Sequence, residues 1–242
     1  MCMCSKIPID QVRYNQLKDI VKSKPNISKN SNLKLITPIS IDDQFHLDKH
    51  FGYWNLKLCL DYLLSLSALR NTLIFCGGSH RHVHSVISNV SLDDSNEARH
   101  SMAKLLSEKY NKLTEKFEVI FWKDYVLKDK EYDHYRSIVD NMKIEDTFFL
   151  EKMTNKAASN YDKYLKRENS PIGRDEFIEA DIKDLTEHLI FYMLYCRDAY
   201  DYEIYHSARP AFYSHFVESY HKQTPRIRIK VPFLKERLKH MI

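Results

Sequence analysis

The chain has 242 residues, 43% of them hydrophobic, 29% charged and a net charge of +4, with only four glycines and seven prolines. That length can bury a sizeable core and makes one large domain or two small ones, and the scarcity of Gly and Pro argues against long linkers. The mild charge does not by itself mark a nucleic-acid binder, no apolar run approaches the ~18 residues of a membrane span, and five scattered cysteines without Cys-x-x-Cys spacing fit reduced thiols in the cytoplasm.

The opening "MCMCSKIPID" lacks the apolar core of a signal peptide. Residues 9–23 place Val12, Leu17, Ile20 and Val21 on one helical stripe. "NLKLITPIS" (32–40) reads as a buried strand, and 54–69 as an apolar helix carrying Leu56, Leu60, Leu63 and Leu64. "NTLIFCGG" (71–78) is a second buried strand closed by two glycines. Residues 91–116 begin with capping residues and continue as a long amphipathic helix. "FEVIFW" (117–122) is a third strand, followed by helices over 129–144 and 145–167 and a break at "ENSPIG" (168–173). A long helix over 174–199, a strand-like "YDYEIYH" (200–206), a helix over 208–222 and a last strand at 226–231 complete the pattern.

Strand, helix, strand, helix, strand predicts right-handed βαβ units on a mostly parallel sheet flanked by helices, an α/β fold. Ligands of such sheets sit beyond the carboxyl ends of the strands. Ser40, Gly77–Gly78–Ser79 and Tyr205–His206 all fall at such ends. No Gly-x-Gly-x-x-Gly and no Gly-Lys-Ser/Thr loop follows a strand, so neither a dinucleotide nor ATP is expected as cofactor.

Four segments carry candidate chemistry. Ser40 is either a turn residue or a nucleophile at the mouth of the sheet, with His46 nearby in sequence. His80, His82 and His84 would share one face of a strand and suggest a metal. The preceding glycines favour a polar loop instead, and no metal is expected. Glu187 enters an almost wholly apolar helix, where an unpaired carboxylate costs several kcal/mol or takes up a proton. The helix 97–116 carries Arg99, Lys104, Lys109, Lys112 and Lys116, of which the last three share a face. That stripe is either a phosphate-tracking surface or a solvated face, and a second basic cluster runs from Arg226 to Lys239.

Taken together these segments resemble the tRNA-dependent cyclodipeptide synthases, over nearly the whole chain and in order. The resemblance implies a single Rossmann-like domain over residues 1–242, similar to the catalytic domains of class I tyrosyl- and tryptophanyl-tRNA synthetases. It also implies no cofactor, two aminoacyl-tRNAs as partners for each product, no membrane, and a monomer. The nucleophile would be Ser40 in "PIS", with Pro38 where the family has Gly, and Phe45 and His46 behind it. Glu187 in "EHLIF" would match the catalytic Glu, and Tyr205 in "EIYH" the Tyr that ends a strand, in preference to Tyr220–His221. Lys183 stands where the family has a Tyr, and two glycines stand where its second strand ends in Asp-Thr. Ile36, Pro38, Asp43, Phe45, His46, Ile74, Cys76, Lys183 and His206 would line the aminoacyl site, and the basic helix would bind tRNA. The implied reaction joins two aminoacyl groups into a cyclic dipeptide through aminoacyl- and dipeptidyl-Ser40. The rivals are transfer of an aminoacyl group to an external amine, and a tRNA-binding relative without catalysis.

Overall fold

A computed structural model of the chain describes residues 34–40, 70–109, 117–165, 172–200, 202–205, 211–219 and 229–230. The first strand, β1 (Lys34–Ser40), pairs in parallel with β2 (Arg70–Cys76) along its whole length, from Lys34 opposite Arg70 to Ser40 opposite Cys76. Ile36, Ile74 and Phe75 have no solvent exposure, as strands covered on both faces require. A third strand, β3 (Glu118–Phe121), pairs with β2. Two more, β4 (Tyr202–Tyr205) and β5 (Ile229–Lys230), extend the other side, giving the order β3-β2-β1-β4-β5 with every pairing parallel. The chain order reverses between β1 and β4, and in open sheets ligands bind at such a switch point. Ser40 ends one of these two strands and Tyr205 the other. The register pairs Ile36 with Glu203, so continuing it brings Tyr205 level with Pro38.

The stretch after β2 corrects the expected polar loop. Gly77–His80 forms a tight 3-10 turn that leads directly into α1 (Arg81–Ser88), which ends on Asn89 in the left-handed region, φ 49°. Here the glycines are required by packing. A Cβ on Gly77 would lie 2.3 Å from the Arg99 carbonyl oxygen and 2.9 Å from Ala103 Cβ, and one on Gly78 would lie 3.0 Å from the Trp122 ring.

The next helix, α2 (Leu92–Lys109), starts where its capping residues predict. The Asp94 amide donates to Ser91 Oγ at 3.0 Å, and that hydroxyl donates to the Asp94 carboxylate at 2.7 Å. After β3 comes a π-helical turn, Lys123–Leu127, which the apolar pattern did not announce. Two helices, α3 (Tyr132–Glu145) and α4 (Thr147–Leu165), pack with α5 (Arg174–Arg197), and α6 (Ala211–Ser219) lies against α4.

The longest of these, α5, is the centre of the core. Every residue from Leu189 to Tyr195 is buried, so this helix is covered around its whole circumference. Trp122, Phe191 and Tyr195 meet through rings 5.3 Å apart, and Phe149 and Phe216 close the far side. No helix among the described residues is long and apolar enough to cross a membrane. The helices expected over 9–23 and 54–69, the 110–116 end of the basic helix, Tyr220–His221 and the basic residues Arg226, Arg228 and Lys235–Lys239 lie outside the described residues.

Candidate active site

Three carboxylates spaced three apart, Asp181, Asp184 and Glu187, lie on one side of α5, and all are at most 2% exposed. Each meets a different set of donors. Asp184 accepts the backbone amides of His82 and Val83, both at 3.0 Å, and so fastens the first turn of α1 to α5. Burial, and then the neighbouring charge of Glu187, push the Asp184 carboxyl well above the usual carboxylate range, against those two amides.

With α1 fastened there, Arg81 and His82 are brought onto Glu187. Glu187 Oε1 accepts from Arg81 Nη2 at 2.7 Å, Arg81 Nε at 3.0 Å, Tyr132 Oη at 2.9 Å and His82 Nε2 at 3.2 Å. Oε2 is buried and, among the described residues, has no hydrogen-bond partner. Burial pushes the Glu187 carboxyl up. The His82 hydrogen bond and the charge and hydrogen bonds of Arg81 outweigh it, so the group lies below its ordinary value of 4.5 and stays ionised at neutral pH. In the same cluster, burial and then the Glu187 charge raise the Tyr132 phenol, which keeps it a donor.

Deeper along α5, Asp181 accepts from Asn160 Nδ2 at 2.7 Å, and Lys156 Nζ donates to Asn160 Oδ1 at 2.5 Å. Burial pushes the Asp181 carboxyl up to about 6 against the Asn160 hydrogen bond and the charges of Lys156 and Lys163. The folded chain therefore holds this proton more tightly than the unfolded chain, whose ordinary value is 3.8. Stability loses this term as pH rises from 3.8 to about 6 and does not regain it above. Asp181→Asn is expected to stabilise the protein at about pH 8 by up to ~3 kcal/mol, and to do almost nothing at about pH 3. Urea unfolding at the two pH values measures this, and an equal difference at both would refute it.

The three alternating histidines do not converge. His80 packs against His188 with tilted rings 5.4 Å apart, His82 bonds Glu187, and His84 bonds Ser95 and Ser88. Ligand atoms of His82, Asp184 and Glu187 do lie within 4.8 Å of one another, as do those of His80, Asp181 and Asp184. Both Asp184 oxygens, however, are taken by amides.

Of the three catalytic candidates named from sequence, Glu187 is the one whose side-chain contacts are described. Ser40 and Tyr205 are placed by backbone alone, at the ends of β1 and β4. Ile36, Ile74 and Cys76 belong to the buried core beneath the rim. Asp43, Phe45, His46, His206, Lys112 and Lys116 fall outside the described residues, and Lys109 is placed by backbone only. Two expectations are corrected. Arg99 is 1% exposed and its Nε donates to the Gly77 carbonyl, so it fastens α2 to the turn after β2 and presents nothing to an external phosphate. Lys183 faces solvent and pairs with Glu179 one turn earlier at 2.7 Å, away from the Glu187 cluster. Lys104 is exposed, as expected.

Arg81, Tyr132 and Asp184 were not anticipated. A sequence signal existed only for Asp184, which shares the three-residue spacing with Glu187 in the same helix. Tyr132 comes from α3 and reaches the Glu187 carboxylate from outside α5, 55 residues away in sequence.

No protein-family model and no curated protein matches the chain. Solved structures do. A cyclodipeptide synthase from Fluoribacter dumoffii superposes with a TM-score of 0.71 at 16% identity, covering 87% of this chain and 92% of that one. A cyclodipeptide synthase from Candidatus Glomeribacter gigasporarum, solved bound to Phe-tRNAPhe, gives 0.67 at 14% identity, covering 89% and 93%. A Mycobacterium tuberculosis protein described as showing that cyclodipeptide synthetases are related to type I tRNA synthetases gives 0.52 at 7% identity, covering 86% and 85%. The parallel sheet and these superpositions agree with the resemblance read from the sequence: the chain has the fold of the cyclodipeptide synthases.

Proposed function

We propose that the protein is an aminoacyltransferase that makes a cyclic dipeptide from two aminoacyl-tRNAs. The observation that carries this reading is Glu187, an ionised and buried carboxylate with one oxygen unpartnered among the described residues, in a chain with the cyclodipeptide synthase fold. A buried oxygen of this kind calls for a cationic donor, and the α-ammonium of an aminoacyl ester is one.

In the proposed reaction the Ser40 hydroxyl attacks the ester carbonyl of the first aminoacyl-tRNA. The tRNA ribose oxygen leaves with the proton, and an aminoacyl-Ser40 ester remains. Glu187 holds the α-ammonium of that group. The free amine of a second aminoacyl-tRNA attacks the Ser40 ester, and the dipeptide remains attached to the second tRNA until Ser40 takes it up, again releasing tRNA. The terminal amine then closes onto the dipeptidyl-Ser40 ester, freeing Ser40 and the six-membered ring. Tyr205 passes protons in these later steps. Because the substrates arrive activated, no ATP is required. The basic face of Lys109, Lys112 and Lys116, with Lys104 on the same helix, is the proposed tRNA surface.

Expression in a bacterium followed by mass spectrometry of the medium tests the reading. Diketopiperazine masses absent from a vector control are expected. A protein that is folded and acylated by aminoacyl-tRNA but yields only linear conjugates would replace it with transfer to an external amine.

A further inference from the structure

Four donors converge on one oxygen of Glu187 and none of the described residues meets the other. Such an arrangement fixes the rotamer of the carboxylate and decides which lone pairs remain for a ligand. Arg81 is the chief member, because its Nε and Nη2 both reach Oε1. Tyr132 joins the pair, with Arg81 Nη2 3.5 Å from its hydroxyl.

We propose that Arg81 and Tyr132 are positioning residues that hold Glu187 by Oε1, leaving Oε2 as the seat of the substrate α-ammonium. The inference rests on the cyclodipeptide synthase reading above and adds to it residues contributed by α1 and α3. The physical need is plain. A carboxylate this buried would take up a proton if left alone, and a neutral acid binds an ammonium poorly. The His82 hydrogen bond and the charge and hydrogen bonds of the Arg81 guanidinium keep the charge on Glu187, while their placement on Oε1 leaves the second oxygen for the substrate. The charged and titratable groups facing Glu187 are Arg81 and His82 from α1, Tyr132 from α3 and Asp184 from its own helix. Asp184 acts one step further out, because its hold on the His82 and Val83 amides sets where Arg81 starts.

The test has two readouts. In protein labelled with side-chain 13C-glutamate, the Glu187 carboxyl is identified as the signal lost in Glu187→Gln. Its titration midpoint is expected to rise by at least one pH unit in Arg81→Met, to return most of the way in Arg81→Lys, and to rise less in Tyr132→Phe, which covers the case that Arg81→Met fails to fold. In single-turnover acylation with aminoacyl-tRNA and with the matching α-hydroxyacyl-tRNA, which lacks the ammonium, wild type is expected to favour the amine at least about tenfold at neutral pH. Arg81→Met is expected to lose most of that preference, and Arg81→Lys to recover it. A merely structural Arg81 would slow both substrates alike and keep the preference, which would overturn the proposal, as would an unmoved midpoint in folded variants. A raised midpoint in a protein that no aminoacyl-tRNA acylates would leave the Oε1 clamp standing but overturn the ammonium seat and the function on which it rests.

Discussion

Ser40→Ala is expected to give no detectable cyclic dipeptide, with tRNA binding and thermal stability unchanged. Wild type mixed with a single aminoacyl-tRNA should carry one added aminoacyl mass on the peptide containing Ser40, and the alanine variant none. The expectation follows from position. Ser40 is the last residue of β1, opposite Cys76 at the end of β2, on one side of the switch point between β1 and β4. Removing a nucleophile removes the covalent path altogether, so its loss is far larger than that of any single hydrogen bond. Cyclic product from the alanine variant would move the nucleophile elsewhere. Ser79 is a poor substitute, since it is fully buried and its hydroxyl donates to the Cys76 carbonyl at 2.8 Å.

The second large effect is expected at Glu187. Glu187→Gln keeps the shape and removes the charge, and hydrogen bonds to charged groups contribute roughly 1.5–3 kcal/mol, so acylation of Ser40 should slow by at least about tenfold. The same change leaves the Arg81 guanidinium, whose side chain is 12% exposed, facing a neutral amide, and should lower stability. The sign with pH is fixed by the direction of the shift. Glu187 is held below its ordinary 4.5, so its stabilising contribution is complete above that value and is lost as pH falls through the depressed one. The stability gap between wild type and Glu187→Gln should therefore be widest at neutral pH and close on acidification. Chemical denaturation across the acid range measures this, and a gap independent of pH would show that the Glu187 charge does not stabilise the fold. Adding Arg81→Met to Glu187→Gln should recover part of the lost stability, because a buried charge without its partner costs more than no charge at all.

The sequence by itself determined the α/β class, the parallel sheet and the ends of its main strands. Unbroken apolar runs such as "LIF" in β2 are local signals, and so are the Ser91–Asp94 cap and the seven buried residues from Leu189 to Tyr195. It also singled out Glu187, since a carboxylate inside an apolar helix is anomalous before any neighbour is known. It misread 77–85 as a loop because two glycines usually break a strand into one. Here Gly77 admits the Arg99 carbonyl, 22 residues away in sequence, and Gly78 the Trp122 ring. It placed Arg99 among the phosphate contacts because an arginine on a charged helix looks solvated until the partner that buries it is seen. Only the tertiary structure decided what surrounds Glu187. Arg81, Tyr132 and Glu187 are separated by 51 and 55 residues and come from three helices, so no local period links them. Their meeting is set by how α1 and α3 pack on α5, and the choice of one carboxylate oxygen over the other is geometry that composition and spacing do not encode.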